Sequence, residues 1–350
     1  MKLVTFSDNV VVPAESVERT GILLGPDVLD LGVCFPWLEK REGRDASPEA
    51  VRARYGEGLL GFIERNAEAR PAADALVLHR RANALPDTHD GRPTSRPLAH
   101  VKLLAPLPRP PSMRDGYAFR QHVETARKNR GLEMIPEFDA FPVFYFTNHQ
   151  AVVGPGELRV QKKHLERLDF ELEAAIVVGK RGMNVPASRA DEFIFGMTIL
   201  NDFSARGLQM EEMKLSLGPA KGKDFATGLG PHLVTLDELL PRATKTPRGH
   251  VFDMEMRAYV NGVKLSQGNV KDMSWTFAQI LERASYGAML YPGDVVGSGT
   301  CGTGCFLELN GSKITANQWL EIGDTVSLEI QDLGRLEHVV ALGDDAPFVA

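Results

Sequence analysis

Leu168-Asp169-Phe170-Glu171-Leu172-Glu173-Ala174-Ala175-Ile176-Val177-Val178-Gly179 is the stretch from which the rest of the chain can be read. Apolar and charged residues alternate, β-branched residues gather towards its end and a glycine closes it, which predicts a β-strand. Side chains two apart on a strand share a face. Asp169, Glu171 and Glu173 therefore fall together, opposite Phe170, Leu172 and Ala174. Such a face is either a solvated sheet edge or a place that gathers positive charge, because unpaired buried carboxylates are costly. Asp202, after the apolar run Phe195 to Leu200, is a further acid in similar surroundings, although alone it would serve equally well as a helix N-cap. Carboxylates converging at strand ends make an all-oxygen donor set. That set suits a hard cation, Mg²⁺, Mn²⁺ or Ca²⁺, and not Zn²⁺.

Composition narrows the class. The 350 residues are enough for one large or two ordinary domains, and 43% hydrophobic with 25% charged residues exclude a disordered chain. A net charge of −6 without a basic block argues against nucleic acid as a partner. The three cysteines, Cys34, Cys301 and Cys305, point to a reducing compartment rather than a disulfide framework. Met1 to Asp8 has no leader-like apolar run and no stretch reaches membrane-helix length, so the expected setting is cytoplasmic, with no membrane partner.

Outward from the central stretch, the first third reads as short strands at Leu3 to Phe6, Val10 to Val12, Gly21 to Leu24 and Val28 to Leu31. The last two form a hairpin around Gly25-Pro26-Asp27. A helix is expected over Pro48 to Ala69, capped by Ser47. The proline-rich run Leu104 to Ser112 breaks regular structure, giving an expected division into 1–105, small and β-rich with helices, and 106–350. Further helices are expected over Asp115 to Arg130, Ser188 to Ile194, Ser204 to Leu215, Asp237 to Leu240 and Ser274 to Ala284. Strands are expected at Phe141 to Thr147, Phe252 to Val260, Asp294 to Gly297, Phe306 to Leu309 and Thr325 to Ile330.

Other candidate motifs are weaker. The loop Gly218 to Pro231 fits neither phosphate-binding glycine pattern, which excludes a nucleotide cradle, yet Lys223 within it can present a cation to an anionic substrate. Cys301 and Cys305 lack the second pair of a structural zinc site and read as packing residues. A lone helical histidine such as His122 is more often packing than base.

Several separated pieces together resemble the fumarylacetoacetate hydrolase family. They are Arg114-Asp115-Gly116-Tyr117 with Arg120-Gln121-His122, the central Leu168 to Glu173, and Phe195-Gly196-Met197 leading to Asn201-Asp202-Phe203-Ser204-Ala205-Arg206 and Gln209. Gly222-Lys223-Asp224-Phe225 with Thr227, Tyr291-Pro292-Gly293-Asp294, Ser298-Gly299-Thr300 and Leu307-Glu308-Leu309 follow in order. The resemblance runs from about Met113 to the C-terminus. It implies a mixed, β-rich α+β fold: a catalytic β-roll preceded by a small SH3-like β domain, commonly as a homodimer. It also implies that Asp115, Glu171, Glu173 and Asp202 hold one divalent cation, Mg²⁺ first. His122 would be the general base, oriented by Glu308. Arg206, Gln209 and Lys223 would stabilise an oxyanion, and Tyr117, Tyr145 and Thr300 would touch substrate. The implied activity is hydrolysis of a carbon–carbon bond in a 1,3-dicarbonyl compound, an acylpyruvate or a fumarylacetoacetate-like molecule. Decarboxylation or isomerisation of a 2-keto acid on the same acids is the alternative, and a non-catalytic metal- or ligand-binding protein a third. Which cation of Arg127-Lys128-Asn129-Arg130, if any, clamps a distal carboxylate stays open. Glu124 lies two residues from His122 and would diverge from it on a helix, which favours Glu308 as its partner.

Overall fold

Strand Leu172–Val178 lies inside a twelve-stranded sheet in a computed structural model that describes residues 1–8 and 17–344. From one edge the order is Ser95–Pro97, Asp27–Asp30, Arg19–Leu24, Lys2–Asp8, Thr227–Thr235, Ile194–Asp202, Leu172–Val178, Val295–Gly297, Met113–Gly116 and Phe144–Phe146. Val101–Leu103 and Val152–Val153 pair off this path. A second, five-stranded sheet runs Gly156–Val160, Gly334–Leu342, Thr325–Ile330, Glu255–Val260, Val263–Asn269. The fold is mixed α+β and rich in sheet.

Leu172, Ala174, Ile176 and Val178 pack into one core with Met256, Ala258 and Leu328 of the second sheet. Ala175 and Val177 face another core, filled by Phe62, Ile63 and Leu76 from N-terminal helices. Burial on both sides is why alternation gives way to the unbroken run Ala174 to Val178. Each large aliphatic side chain buried there contributes on the order of 1.5–3 kcal/mol. The sheet crosses the expected division near residue 105: Leu3 pairs with Leu233 and Lys2 with Val234.

The hairpin at Gly25 and the Asn261-Gly262 turn form where the sequence puts them, with both Asn261 and Gly262 at positive φ, as a tight two-residue turn demands. The strand expected over Val10 to Val12 lies outside the described residues. Several expectations change. Asp115 sits on strand Met113–Gly116, and the helix begins only at Arg120, running to Lys128. The helix expected over Pro48 to Ala69 is three: Pro48–Tyr55, Gly58–Glu64 and Asn66–Arg81. Gly56 breaks the first, its φ of 79° closing the turn against the backbone of Gly61, where no Cβ would fit. Phe306–Gly311 is a helix and not a strand. The four-residue run Phe-Leu-Glu-Leu fits both periods, and too few residues follow to decide between them. Helix Leu31–Arg41 carries Pro36 inside it and was not anticipated. The central stretch itself splits into Leu168–Asp169, paired with Ser204–Ala205, and Leu172–Val178.

Candidate active site

The split at Phe170-Glu171 builds the site, because it turns Glu171 out of the ladder at the end of Leu172–Val178. Asn201, opposite, fixes the turn by accepting the amide of Glu171 at 3.0 Å. Asp202 ends strand Ile194–Asp202, and Asp115 arrives on Met113–Gly116, which runs parallel to Val295–Gly297. Asp115, Glu171, Glu173 and Asp202 each bring a carboxylate oxygen within 4.8 Å of the others, all buried. Gly297 leaves the room for this: a Cβ there would lie 2.4 Å from Asp115 Oδ1 and 3.0 Å from Glu173 Oε2.

The neighbours divide the four. Lys223 Nζ donates to Glu171 Oε2 and Asp202 Oδ2, both at 2.5 Å, and Tyr145 Oη donates to Asp202 Oδ2 at 2.5 Å. Arg206 donates to Glu171 Oε1 at 2.6 Å. Asp115 and Glu173 hydrogen-bond each other through their carboxyls and share the Gly299 amide, at 3.2 and 3.0 Å; Tyr145 also reaches Asp115, and the Thr300 hydroxyl lies 3.5 Å from Glu173 Oε1. Burial and the neighbouring Asp115 hold the Glu173 carboxyl well above its ordinary range. Burial likewise raises Asp115, and pushes Asp202 up to about 7 against the pull of Lys223. For Glu171 burial is outweighed by Lys223 and Arg206, and its carboxyl is lowered. Asp202 Oδ1 is buried without a hydrogen-bond partner among the described residues. An orphaned oxygen in a cluster of four acids fits a hard divalent cation, to which each of the four would give an oxygen.

Asp169, read from sequence as a member of the same face, is not in the cluster. It accepts from Arg206 Nε at 2.8 Å and from the amides of Phe306 and Leu307 at 2.7 and 3.0 Å. It thereby ties Arg206 to the helix that carries Glu308, a role no local pattern in the sequence reveals. Asp202 does not cap the following helix, Arg206–Met213, whose N-cap is Ala205.

His122, on helix Arg120–Lys128, is buried with Nδ1 2.6 Å from Glu308 Oε2. Tyr117 meets the imidazole edge-on at 5.8 Å between centroids. Glu124 instead pairs with Arg120 in solvent at 2.9 Å. Gln209 accepts from Arg206 Nη1 at 2.9 Å, and Gly222 lies so close to the Gln209 backbone that a Cβ would reach within 2.7 Å of it. Arg127 and Arg130 donate to the carbonyls of Glu133 and Ala126. Cys301 and Cys305 are free and buried, and burial with Asp169 nearby raises the Cys305 thiol well above its ordinary value. One nitrogen of His122, one oxygen of Glu171 and the Cys305 sulfur lie within 4.8 Å of one another, a grouping the sequence did not suggest.

A profile described as fumarylacetoacetate (FAA) hydrolase C-terminal matches residues 112–341, which span all of these residues. The chain belongs to the fumarylacetoacetate hydrolase family. Rat fumarylacetoacetase is 37% identical over 327 residues, 81% of this chain and 76% of the relative. Oxaloacetate tautomerase YisK of Bacillus subtilis is 29% identical over 251 residues, 69% of this chain and 74% of the relative. Among solved structures, maleylpyruvate hydrolase from Sphingobium sp. SYK-6, in complex with manganese(II) and pyruvate, aligns with a TM-score of 0.65. Its identity is 19%, with 98% of this chain and 100% of that chain covered. Fumarylacetoacetate hydrolase family enzymes thus include hydrolases as well as tautomerases and isomerases. No helix among the described residues is long and apolar enough to cross a membrane.

Proposed function

We propose that the chain hydrolyses a carbon–carbon bond in a 1,3-dicarbonyl compound, an acylpyruvate or fumarylacetoacetate-like molecule, using a divalent ion, Mg²⁺ first, on Asp115, Glu171, Glu173 and Asp202. The observation that carries this reading is the buried His122–Glu308 pair beside that carboxylate cluster. When bound, a hard cation supplies Lewis acidity towards the paired oxygens of such a substrate.

The chain's own groups account for the rest. Glu308 fixes the proton of His122 on Nδ1, so Nε2 keeps its lone pair and takes a proton from water as that water attacks a carbonyl carbon. Lys223 has used two of its three N–H donors, leaving one for the negative charge that develops on the attacked oxygen. Arg206 and Gln209 lie beside it, and losing one such donor typically costs about a hundredfold or more in rate. The carbon–carbon bond then breaks, its electron pair leaves as an enolate, and protonated His122 returns the proton to that carbon. Tyr117, which meets the imidazole edge-on, and Tyr145 and Thr300, which hydrogen-bond acids of the cluster, would be the substrate contacts. A homodimer in the reducing cytoplasm, where Cys34, Cys301 and Cys305 stay free, completes the reading.

The likeness to an oxaloacetate tautomerase favours a second reading, in which His122 moves a proton between carbon and oxygen of a 2-keto acid without activating water. Product analysis separates the two. Acylpyruvates incubated with Mg²⁺ in isotopically labelled water should yield two fragments, one carrying the label. Enol–keto interconversion or CO₂ release from oxaloacetate, with acylpyruvates untouched, would instead favour the second. If no diketone turns over with Mg²⁺, the hydrolase reading is wrong.

A further inference from the structure

We propose that His122, Cys305 and Glu171 form a second metal site, one that takes a thiophilic ion such as Zn²⁺ and silences the chain by occupying its base. One nitrogen, one sulfur and one carboxylate oxygen already lie within 4.8 Å of one another and are buried. Around a zinc ion these donors sit about 2.0–2.3 Å from the metal, so the trio closes by roughly an ångström on binding. The set differs in kind from the all-oxygen cluster beside it. Nitrogen and sulfur favour zinc, whereas four carboxylates favour Mg²⁺ or Mn²⁺.

A second observation points the same way. Histidines that ligate metals ordinarily donate their other N–H to a carboxylate, which sets the tautomer and raises ligand basicity. His122 Nδ1 lies 2.6 Å from Glu308 Oε2 in this arrangement, which leaves Nε2 as the nitrogen to ligate. Glu171 belongs to both groups, and a carboxylate has lone pairs to spare beyond those facing Arg206 and Lys223. It can therefore bridge the two sites with the hard ion still in place. On binding, Cys305 releases its thiol proton to solvent and the sulfur becomes a metal-bound thiolate. The Nε2 lone pair is then committed to the metal and cannot accept a proton from water.

Binding at this site does not depend on which reaction the chain performs; only its effect on turnover rests on the proposed function. The full chain, saturated with Mg²⁺, is titrated with Cd²⁺ while the thiolate-to-cadmium charge-transfer band is followed. Wild-type protein should show the band and saturate near one equivalent. Cys305→Ser should abolish it, Cys34→Ser and Cys301→Ser should keep it, and His122→Gln should weaken binding at least about tenfold. A band that is absent, or that survives Cys305→Ser, overturns the proposal. X-ray absorption of the zinc-loaded wild type needs no variant: one sulfur neighbour at about 2.3 Å is expected, and a shell of oxygen and nitrogen alone refutes the site. Where turnover is measurable, the half-inhibitory Zn²⁺ should rise at least about tenfold in Cys305→Ser relative to that variant's own uninhibited rate. Inhibition unchanged by the substitution would mean that zinc acts by displacing Mg²⁺ from the carboxylates. Failure of every diketone as substrate would sink the hydrolase reading and leave the cadmium result standing.

Discussion

Glu171 and Asp202 face the ammonium of Lys223, whereas Asp115 and Glu173 face chiefly each other, with neutral donors around them: the Gly299 amide, the Tyr145 hydroxyl and, more distantly, the Thr300 hydroxyl. All four acids are buried to a similar degree, so the difference is one of compensation and not of solvent. One half of the cluster is neutralised by a cationic side chain, while in the other burial and the adjoining carboxyls favour the protonated form. Breaking a buried pair by removing one partner costs about 3–5 kcal/mol, while removing one of two crowded like charges relieves repulsion. The same type of substitution should therefore have opposite consequences in the two halves.

The largest effect is expected from Glu173→Gln. It removes a cation donor, so metal affinity should drop beyond the about 10- to 100-fold that loss of an outer partner costs, and turnover should vanish with it. Denaturation in chelator should show stability equal to or above wild type, and a large loss there would erase the distinction between the halves. Lys223→Met should do the reverse: in chelator it should lose about 3–5 kcal/mol, measured by denaturant titration, and in Mg²⁺ it should turn over about a hundredfold more slowly.

Acidity sharpens the contrast. The Asp202 carboxyl is raised from 3.8 to about 7, so in the metal-free protein the folded state holds a proton that the unfolded state releases. Its contribution is fully present below about pH 3.8 and lost as pH climbs through about 7. Asp115 and Glu173 act in the same sense and Glu171 in the opposite one. Burial lowers His232 and His338 to about 4, which works the other way over the same range, so the cluster is isolated by difference. Between pH 4 and 7 in chelator, wild type should lose stability relative to Asp202→Asn, and saturating Mg²⁺ should reduce or reverse that difference. A wild type that tracks Asp202→Asn across this range would contradict the assignment. The smallest effect belongs to Thr300→Val: a bond of 3.5 Å to Glu173 is worth no more than about 1 kcal/mol, a few-fold in metal affinity by calorimetry.

Legibility in the sequence followed the range of the causes. Glu171, Glu173 and Asp202 stood out because charge in an apolar run is locally visible, and the strands around them were set by alternation. Asp169 obeys the same alternation, yet the strand ends at it and its partner Arg206 is thirty-seven residues on, so its separate role was hidden. His122 and Glu308 lie 186 residues apart and only the resemblance paired them. The helix Phe306–Gly311 was misread for want of length, and Leu31–Arg41 was masked by Pro36, which an interior helix position rarely tolerates.

Asp169 has a kinetic consequence of its own. One hidden carboxylate anchors both the guanidinium at the cluster and the first amides of the helix that steers the imidazole. Damage on either side is transmitted through this common post, so perturbations of Arg206 and Glu308 should fail to add in a double-mutant cycle. Acid–base chemistry and charge stabilisation would then fall together, as one mechanical unit.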